Sequence, residues 1–116
     1  MASLIGIYRI GRDTELRYTG AGEAVCNISF AYPYGPRAED GSRDTQWLTA
    51  SLWGERAERF HDWLTKGREV YAQIEDVHIE TYKKGDGSEG VNLVGKCGLI
   101  EFVGRKPEKK ATEGGE

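Results

Sequence analysis

The feature that most restricts the fold is the strict alternation of side-chain character in residues 47–53, WLTASLW. Leucine and alanine occupy one phase, whereas Trp47 and Trp53 flank two small hydroxyl residues in the opposite phase. Because successive side chains of a strand point to opposite faces, this pattern predicts a strand with one buried face. The other face presents two large rings among polar neighbours, where a solvent-facing strand normally keeps polar residues.

The rest of the chain is typical of a mainly β domain. Its 16 glycines separate short segments rich in aromatic and β-branched residues. Further strands are predicted at residues 4–12, 25–32, 69–82, 90–94 and 97–103. The apolar phase slips between Ile74 and Val77, which predicts a bulge or sharp bend near Glu75 and Asp76. A turn at residues 85–87 then joins two of these strands as a hairpin.

One helix is predicted, at residues 55–66. Ala57, Phe60 and Leu64 fall at i, i+3 and i+7, so they form one apolar stripe that ends before a Lys-Gly stop signal. We expect this helix to plug one end of a β-barrel. Trp63 lies beside the stripe, so a packing role is favoured over a ligand role.

The domain boundary follows from a change in composition. Residues 1–104 are predicted to form one folded domain. Residues 105–116 are polar and without periodicity, so we expect a disordered tail there.

Several function classes are excluded by what the sequence lacks. Cys26 and Cys97 have neither CxxC nor Cys/His spacing, so we expect two core thiols in a reducing cytoplasm, no metal and no cofactor. The apolar start at residues 4–7 is interrupted almost at once, so neither a signal peptide nor a membrane segment is predicted. His61 and His78 have no partners at catalytic spacing, so we expect no enzyme.

The outward rings indicate a binding surface instead. The net charge of −3 argues mildly against a nucleic-acid ligand, but acidic residues cluster in 55–62 and 75–80 and leave the cations elsewhere. A sequence-tolerant binder of unpaired nucleic acid needs rings for base stacking and cations for phosphates. Candidate stacking residues are Trp47, Trp53, Tyr82 and Tyr34, and candidate phosphate contacts are Arg9, Arg12, Arg37, Arg43, Lys83 and Lys84. The pattern alone leaves a subunit contact open for the two tryptophans and for Tyr82.

Four segments, in order, resemble bacterial single-stranded DNA-binding proteins. Residues 11–18, GRDTELRY, are similar to G-x-D-P-E-x-R-Y, and residues 24–31, AVCNISFA, to A-V-A-N-x-x-L-A. Residues 46–54, QWLTASLWG, resemble E-W-x-x-V-x-L-F-G, and residues 63–71, WLTKGREVY, resemble Y-L-x-K-G-x-x-V-Y. The resemblance extends over residues 5–104.

This resemblance implies an OB-fold, a five-stranded Greek-key barrel with one α-helix. It also implies a homotetramer, or a dimer, that binds single-stranded DNA with little sequence preference and protects it during replication, recombination and repair. The implied location is the cytoplasm, at the nucleoid or replication fork, for a bacterial or phage-encoded protein. Trp47 stands at a family stacking tryptophan, Trp53 replaces a stacking phenylalanine, Tyr82 stands near another stacking tryptophan, and Tyr34 approximates a fourth aromatic.

The sequence departs from the family pattern at its C-terminal residues, and it leaves one alternative function open. Residues 109–116 read KKATEGGE, so we expect the family's acidic C-terminal tip, which recruits repair proteins, to be absent. The competing function is an OB-fold protein-interaction module, such as a primosome-type adaptor, with weak or no DNA binding. In that module Trp47 and Trp53 would be buried against protein, and no continuous aromatic and basic track would remain.

Overall fold

The computed structural model describes residues 1–104. Its elements are β1 (Leu4–Ile10), β2 (Leu16–Tyr18), β3 (Ala24–Tyr34), β4 (Asp44–Trp53), α1 (Glu55–Phe60), β5 (Glu69–Lys83) and β6 (Glu89–Phe102). A short 3₁₀ turn, His61–Trp63, directly follows α1. The predicted tail, residues 105–116, lies outside the described residues. No helix in the described part has the length and apolar character needed to cross a membrane.

Five of the strands close into a ring in the order β1, β5, β6, β4, β3, with β3 pairing back to β1. The β4–β6 pair is parallel and the other pairs are antiparallel. The three-residue β2 pairs antiparallel with the first residues of β3. The predicted mainly β, five-stranded barrel with one helix is therefore confirmed, with β2 as a short addition.

The hydrophobic core fills the inside of this ring. Its largest fully buried side chains are Phe30, Ile10, Ile28, Leu48, Leu52, Leu64, Ile74 and Val70. Ala57 of α1 is fully buried in the same cluster, and α1 contacts β3 and β4. The predicted apolar stripe therefore closes the core, as an amphipathic helix over a barrel end does.

The helix is shorter than its periodicity predicted, because a 3₁₀ turn and contacts to the end of β1 and the segment after it replace its last turns. A helix continuing to Lys66 would bond the backbone N–H of Lys66 within the helix. Instead, that N–H donates to the carboxylate of Asp13 at 2.9 Å, and Gly67 N–H donates to the carbonyl of Ile10 at 2.8 Å. The predicted end at residue 66 was therefore wrong, and α1 ends at Phe60.

The last two predicted strands are one continuous strand, β6. The sequence predicts two strands, at residues 90–94 and 97–103, but Gly95 and Lys96 pair with Ala50 and Ser51 of β4 and so continue the ladder. The predicted bulge is confirmed on the facing strand. The β5–β6 register shifts between Glu75 and His78, and Asp76 adopts a positive φ of 55°.

Two ribbons extend from the barrel. The β3–β4 ribbon reaches Tyr34 paired with Asp44, so the loop between these strands is shorter than predicted. The strand passes through Pro33, which lies beyond the last residue of β3 that pairs with β1 and therefore at an open edge, where proline is tolerated. The β5–β6 ribbon ends in the predicted hairpin turn, which follows Lys83.

Candidate nucleic-acid interface

The outer face of β4 carries the two rings that the sequence pattern indicated. Leu48, Ala50 and Leu52 are buried, whereas Trp47 is 54% exposed and Trp53 is 42% exposed. The predicted phase is therefore confirmed. The two tryptophans are six residue steps apart, which corresponds to roughly 20 Å along β4.

Trp47 is held in place by a glycine on the neighbouring chain segment. The ring lies against Gly11, where an added Cβ would stand 2.4 Å from Cζ3 of Trp47 and 2.8 Å from the hydroxyl oxygen of Ser29. Gly11 N–H also donates to the carbonyl of Ser29 at 2.8 Å, which fixes this segment beside β3. One side of the indole is therefore supported by protein while the remainder stays accessible.

Gly11→Ala is expected to displace the Trp47 ring. If unpaired DNA stacks on this ring, as the sequence predicts, its affinity should fall by roughly fivefold, the lower end of what one lost stacking ring costs. The atoms in conflict, the Trp47 ring and the Ser29 hydroxyl, are both ends of side chains rather than backbone, so the fold should survive. Fluorescence anisotropy with labelled oligo-dT measures the affinity, and the thermal midpoint checks the fold. Unchanged affinity would show that the contact with Gly11 does not position the ring.

Trp53 lies in a different row of the barrel from Trp47. It pairs with Val25 of β3, and Val25 pairs in turn with Arg17 of β2. Val25 is 8% exposed although it lies on the outer face in this row, so its neighbours cover it. The second ring therefore shares its row with a cation from the short strand.

The two predicted tyrosines lie in different surroundings. Tyr82 lies near the end of the β5–β6 ribbon, opposite Gly90, and an added Cβ on Gly90 would stand 2.4 Å from Cζ of Tyr82. Strand alternation through the pairs His78–Val94 and Thr49–Val94 places Tyr82 on the same side of the sheet as Trp47. Tyr34 continues the phase of Phe30, so it lies on the opposite side of the β3–β4 ribbon from Trp47.

The predicted cations lie around this face, and some of their side chains are held by hydrogen bonds to backbone carbonyls. In the loop after β3, Arg37 donates to the carbonyl of Gly41 and Arg43 donates to the carbonyl of Gly35, both at 2.9 Å. Arg9, on the outer face of β1, donates to the carbonyl of Gly67 at 3.0 Å. Arg12, Lys83 and Lys84 are also exposed, Arg12 after β1 and the two lysines at the β5–β6 turn. These guanidinium groups retain further N–H donors for an anion.

Sequence reasoning missed two polar residues, Asn27 and Lys96, that the ladder brings between the rows of the two rings. Asn27 pairs with Ser51, and Ser51 pairs with Lys96, so one row crosses three strands. Arg17 lies in the next row. Each side chain points outward from its strand, and this alternation was the one sequence pattern that could have identified them. Which strands would be neighbours depends on barrel closure, which local patterns do not show.

The β5–β6 ribbon also carries a titratable group on this side. The ring of His78 lies 2.8 Å from the carbonyl of Asp76 through Nδ1 and 3.1 Å from the Glu80 carboxylate through Nε2. The hydrogen bond to Asp76 first, and then that to Glu80, raise the pKa of His78 above its ordinary value. A positive charge on this ribbon therefore persists to higher pH than on an isolated histidine.

A cleft of about 440 Å³ separates the start of β4 from the β5–β6 ribbon. It is bordered by Thr45 and Trp47 on one side and by Ile79, Val91 and Leu93 on the other. Ile79 and Val91 are exposed, so the cleft has an apolar wall beside the first ring. A flat apolar group entering it would contact both surfaces.

The remaining chemistry-bearing groups are structural. Cys26 and Cys97 are free and buried, and burial raises the pKa of Cys26 to about 11 and that of Cys97 to about 12. Both stay protonated near neutral pH and act as apolar core residues. Trp63 packs against Phe60 and Phe102. Within residues 1–104 no group of three or more His, Cys, Asp or Glu side chains is placed to hold a metal.

Comparison with known proteins points in one direction. Residues 1–94 match the single-strand binding protein family. The chain is 30% identical over 112 residues to the single-stranded DNA-binding protein of Thermotoga maritima, covering 95% of this chain and 79% of that protein. It is also 30% identical to single-stranded DNA-binding protein 1 of Chlorobaculum tepidum, covering 94% of this chain and 67% of that protein.

The fold has a solved counterpart as well. A Plasmodium falciparum SSB complex with ssDNA superimposes with a TM-score of 0.67, covering 90% of this chain and 96% of that chain. The two sequences are 18% identical, so this likeness concerns the fold.

Proposed function

Because the chain belongs to the single-strand binding protein family, we propose that it holds unpaired DNA across the outer face of β4 by base stacking and phosphate contacts. The observation that carries this proposal is the pair of half-exposed tryptophans, Trp47 and Trp53, set among small polar residues. Bases stack on any accessible ring face, so such a surface binds with little sequence preference. The biological role that follows is protection of single strands during replication, recombination and repair.

The path of the strand follows from where the rings lie. We propose that bases stack on Trp53 and Trp47 and then on Tyr82 along the β5–β6 ribbon. The phosphates would be met by cations around this path, namely Arg9, Arg12, Arg37, Arg43, Lys83 and Lys84. Tyr34 enters the path only where the strand continues around the end of the β3–β4 ribbon, because its side chain points to the other side.

A tryptophan-fluorescence titration tests the proposal. Oligo-dT should quench the emission, and affinity should fall as the salt concentration rises because bound phosphates release counterions. A duplex of equal length is the control and should bind far more weakly. If neither quenching nor binding occurs, the barrel belongs instead with protein-interaction modules, and a search for a protein partner would follow.

Affinity for oligo-dT is also expected to depend on pH through His78. Its raised pKa means that the imidazolium is present below that pKa and is lost as pH rises through it. The slope of log affinity against log salt should therefore be larger at pH 6 than at pH 8, by up to roughly 0.7 if one further phosphate is neutralised. His78→Gln should give the same slope at both values. A pH-independent slope in the unchanged protein would contradict a DNA contact at His78.

We further propose that the subunits associate through the side of the barrel opposite β4. Ile5 and Leu99 are 59% and 40% exposed and flank Gln73 in one row, and Ile7, 48% exposed, lies in the next. Exposed aliphatic residues gathered in this way mark a contact surface. A homotetramer or a dimer would bury them and leave the tryptophans free for DNA.

Substitution of Ile5 by glutamate tests this assembly. The charge should shift sedimentation velocity from the oligomer toward the monomer, since an unpaired carboxylate in an apolar contact costs several kcal/mol. Tyr18→Glu, at a similarly exposed position facing α1, is the matched control and should leave the sedimentation coefficient unchanged. A variant that sediments like the unchanged protein would place the contact elsewhere.

The family is a non-enzymatic DNA-binding family. We therefore propose that the chain binds without turnover and works in the cytoplasm, where replication and repair expose single strands. End-labelled oligo-dT should be recovered at full length after prolonged incubation. A cleaved product that survives repurification and is lost on a site substitution would overturn this.

A further inference from the structure

A polar pocket of about 290 Å³ lies on the outer face of the barrel, where β2 and the segment before it meet β3. It is lined by Arg12, Asp13, Glu15, Arg17 and Asn27. Its composition differs from that of the rest of the candidate surface, because carboxylates and guanidinium groups stand together in it. This combination calls for a ligand that offers both acceptors and donors.

Measured along the strands, the pocket lies between the rows of the two stacking positions, on the far side of β3 from β4. On one side, Arg12 directly follows Gly11, the residue against which the Trp47 ring lies. On the other, Arg17 shares its row with Trp53 through Val25. Asn27 pairs with Ser51, two residues before Trp53. A strand whose bases stack on both rings therefore runs beside the pocket, and an intervening nucleotide can extend its base edge across β3 toward it.

The polar groups of the pocket are available to a ligand. In the part of the chain that the structure describes, the side chains of Arg12, Glu15, Arg17 and Asn27 make no hydrogen bond or ion pair. Asp13 is anchored, since one of its carboxylate oxygens accepts from the backbone N–H of Lys66. The formal charges of two guanidinium groups and two carboxylates cancel, so the pocket is poorly suited to a bare phosphate.

We propose that this pocket hydrogen-bonds the edge of one base and favours guanine. The inference rests on the proposed function, because the base reaches the pocket only if the strand crosses Trp47 and Trp53. Guanine alone combines the neighbouring donors N1–H and N2–H₂ with the acceptors O6 and N7. The carboxylate of Glu15, which no other group in the described residues holds, accepts from the donor pair, and a guanidinium donates to O6 and N7.

The other three bases would form fewer of the hydrogen bonds that the pocket offers. Thymine offers a single N–H between two carbonyl oxygens, so one carboxylate would face an acceptor. Adenine lacks the pair of adjacent donors, and cytosine lacks the N–H next to its amino group. Under this assignment Arg12 contacts a base edge rather than a phosphate. The protein would remain tolerant of sequence elsewhere and selective at one nucleotide.

Competition binding with short oligomers tests the proposal. Oligo-dT of about 16 nucleotides, the upper end of the site size of one OB-fold, is compared with the same oligomer carrying one central dG, dA, dC or deoxyinosine. We expect the dG oligomer to bind roughly fivefold to tenfold more tightly than oligo-dT. Deoxyinosine, which lacks the 2-amino group, should lose most of that gain because one donor to the carboxylate is missing.

Two substitutions locate the effect. Glu15→Gln should bring the ratio of dG to dT affinity toward one, and this ratio is insensitive to a general change in charge. Glu23→Gln removes the same charge at an exposed residue outside the pocket and should keep the full ratio.

The outcomes separate this inference from the proposed function. Tight binding of every oligomer with equal affinity would overturn the base-edge pocket and leave single-strand binding intact. Equal loss of affinity for all oligomers in Arg12→Ala and Arg17→Ala, without base preference, would identify a phosphate site and also overturn it. Failure of all oligomers to bind would overturn the proposed function and this inference together. A preference for dG that Glu15→Gln abolishes supports the pocket as described.

Discussion

Replacement of Trp47 by alanine is expected to weaken binding of oligo-dT by roughly fivefold to a hundredfold, because a stacked base contributes about 1–3 kcal/mol. The ring is held on one side by Gly11 and is 54% exposed, so it is pre-positioned for a base. A rigid ring loses little conformational entropy on binding. Anisotropy of a labelled oligomer measures the change without relying on the fluorescence of the residue removed.

The fold should be unaffected by this substitution. Trp47 points away from the core, so the thermal midpoint of the Trp47→Ala variant should change little, as for other surface substitutions. Trp47→Phe should recover most of the affinity, because it restores a flat ring. Tyr18→Ala is the matched control, since Tyr18 is 58% exposed but faces α1 through a hydrogen bond to Glu58. Unchanged affinity in both Trp47→Ala and Trp53→Ala would refute the stacking surface.

The strands of the barrel could be predicted from the sequence because burial of one face produces an alternation of apolar and polar residues within each strand. Alternation in β4 is enforced by a core on one side only, and the slip between Ile74 and Val77 follows from a bulge that keeps both in contact with the core. These patterns need no knowledge of which strands are neighbours. The outward phase of Trp47 and Trp53 follows from the same alternation.

The features that the sequence could not predict depend on contacts between distant segments. The end of α1 is set by Asp13 and Ile10, which bond the backbone that a longer helix would have used. The continuity of β6 through Gly95 is set by β4 on its other edge. The pocket around Asn27 likewise assembles only when β2 and β3 pair. Composition and periodicity are local properties, so they do not predict which distant segments pair.

Tyr34 shows how a small error in a boundary changes an interpretation. In a loop its ring would be free to turn toward Trp47. Because β3 continues through Pro33, alternation fixes Tyr34 on the opposite side of the ribbon. Its stacking role stays a prediction, and it now requires a DNA path around the end of that ribbon.

Gly95→Ala is expected to lower the free energy of unfolding by about 1–3 kcal/mol, the usual cost of inserting a methyl group into a well-packed site. An added Cβ would stand 2.7 Å from Cγ2 of Ile74 and 2.8 Å from the carbonyl oxygen of Glu75. The carbonyl belongs to the bulged backbone of β5 and has no rotamer by which to move away. The midpoint of thermal unfolding should fall by roughly 5–20 °C for a domain of this size.

Gly6→Ala is the matched control for that experiment. Gly6 also lies within a strand, where it pairs with Ala72, but no atom lies within 4 Å of the position of its added Cβ. The same chemical change should therefore leave the midpoint unchanged or raise it slightly, because alanine restricts the unfolded chain. Equal midpoints for the two variants would show that β6 does not cross the bulge as closely as described.

The two substitutions also separate stability from binding. Gly95 lies where the bulge turns the β5–β6 ribbon out of the barrel, and that ribbon carries Tyr82 toward the proposed DNA path. A shift of the bulge should therefore weaken oligo-dT binding as well, but less than loss of Trp47, because both tryptophans remain on β4. At a temperature where Gly95→Ala is fully folded, an affinity equal to that of Gly6→Ala would mean that the ribbon lies outside the DNA path, and stacking would then be confined to β4.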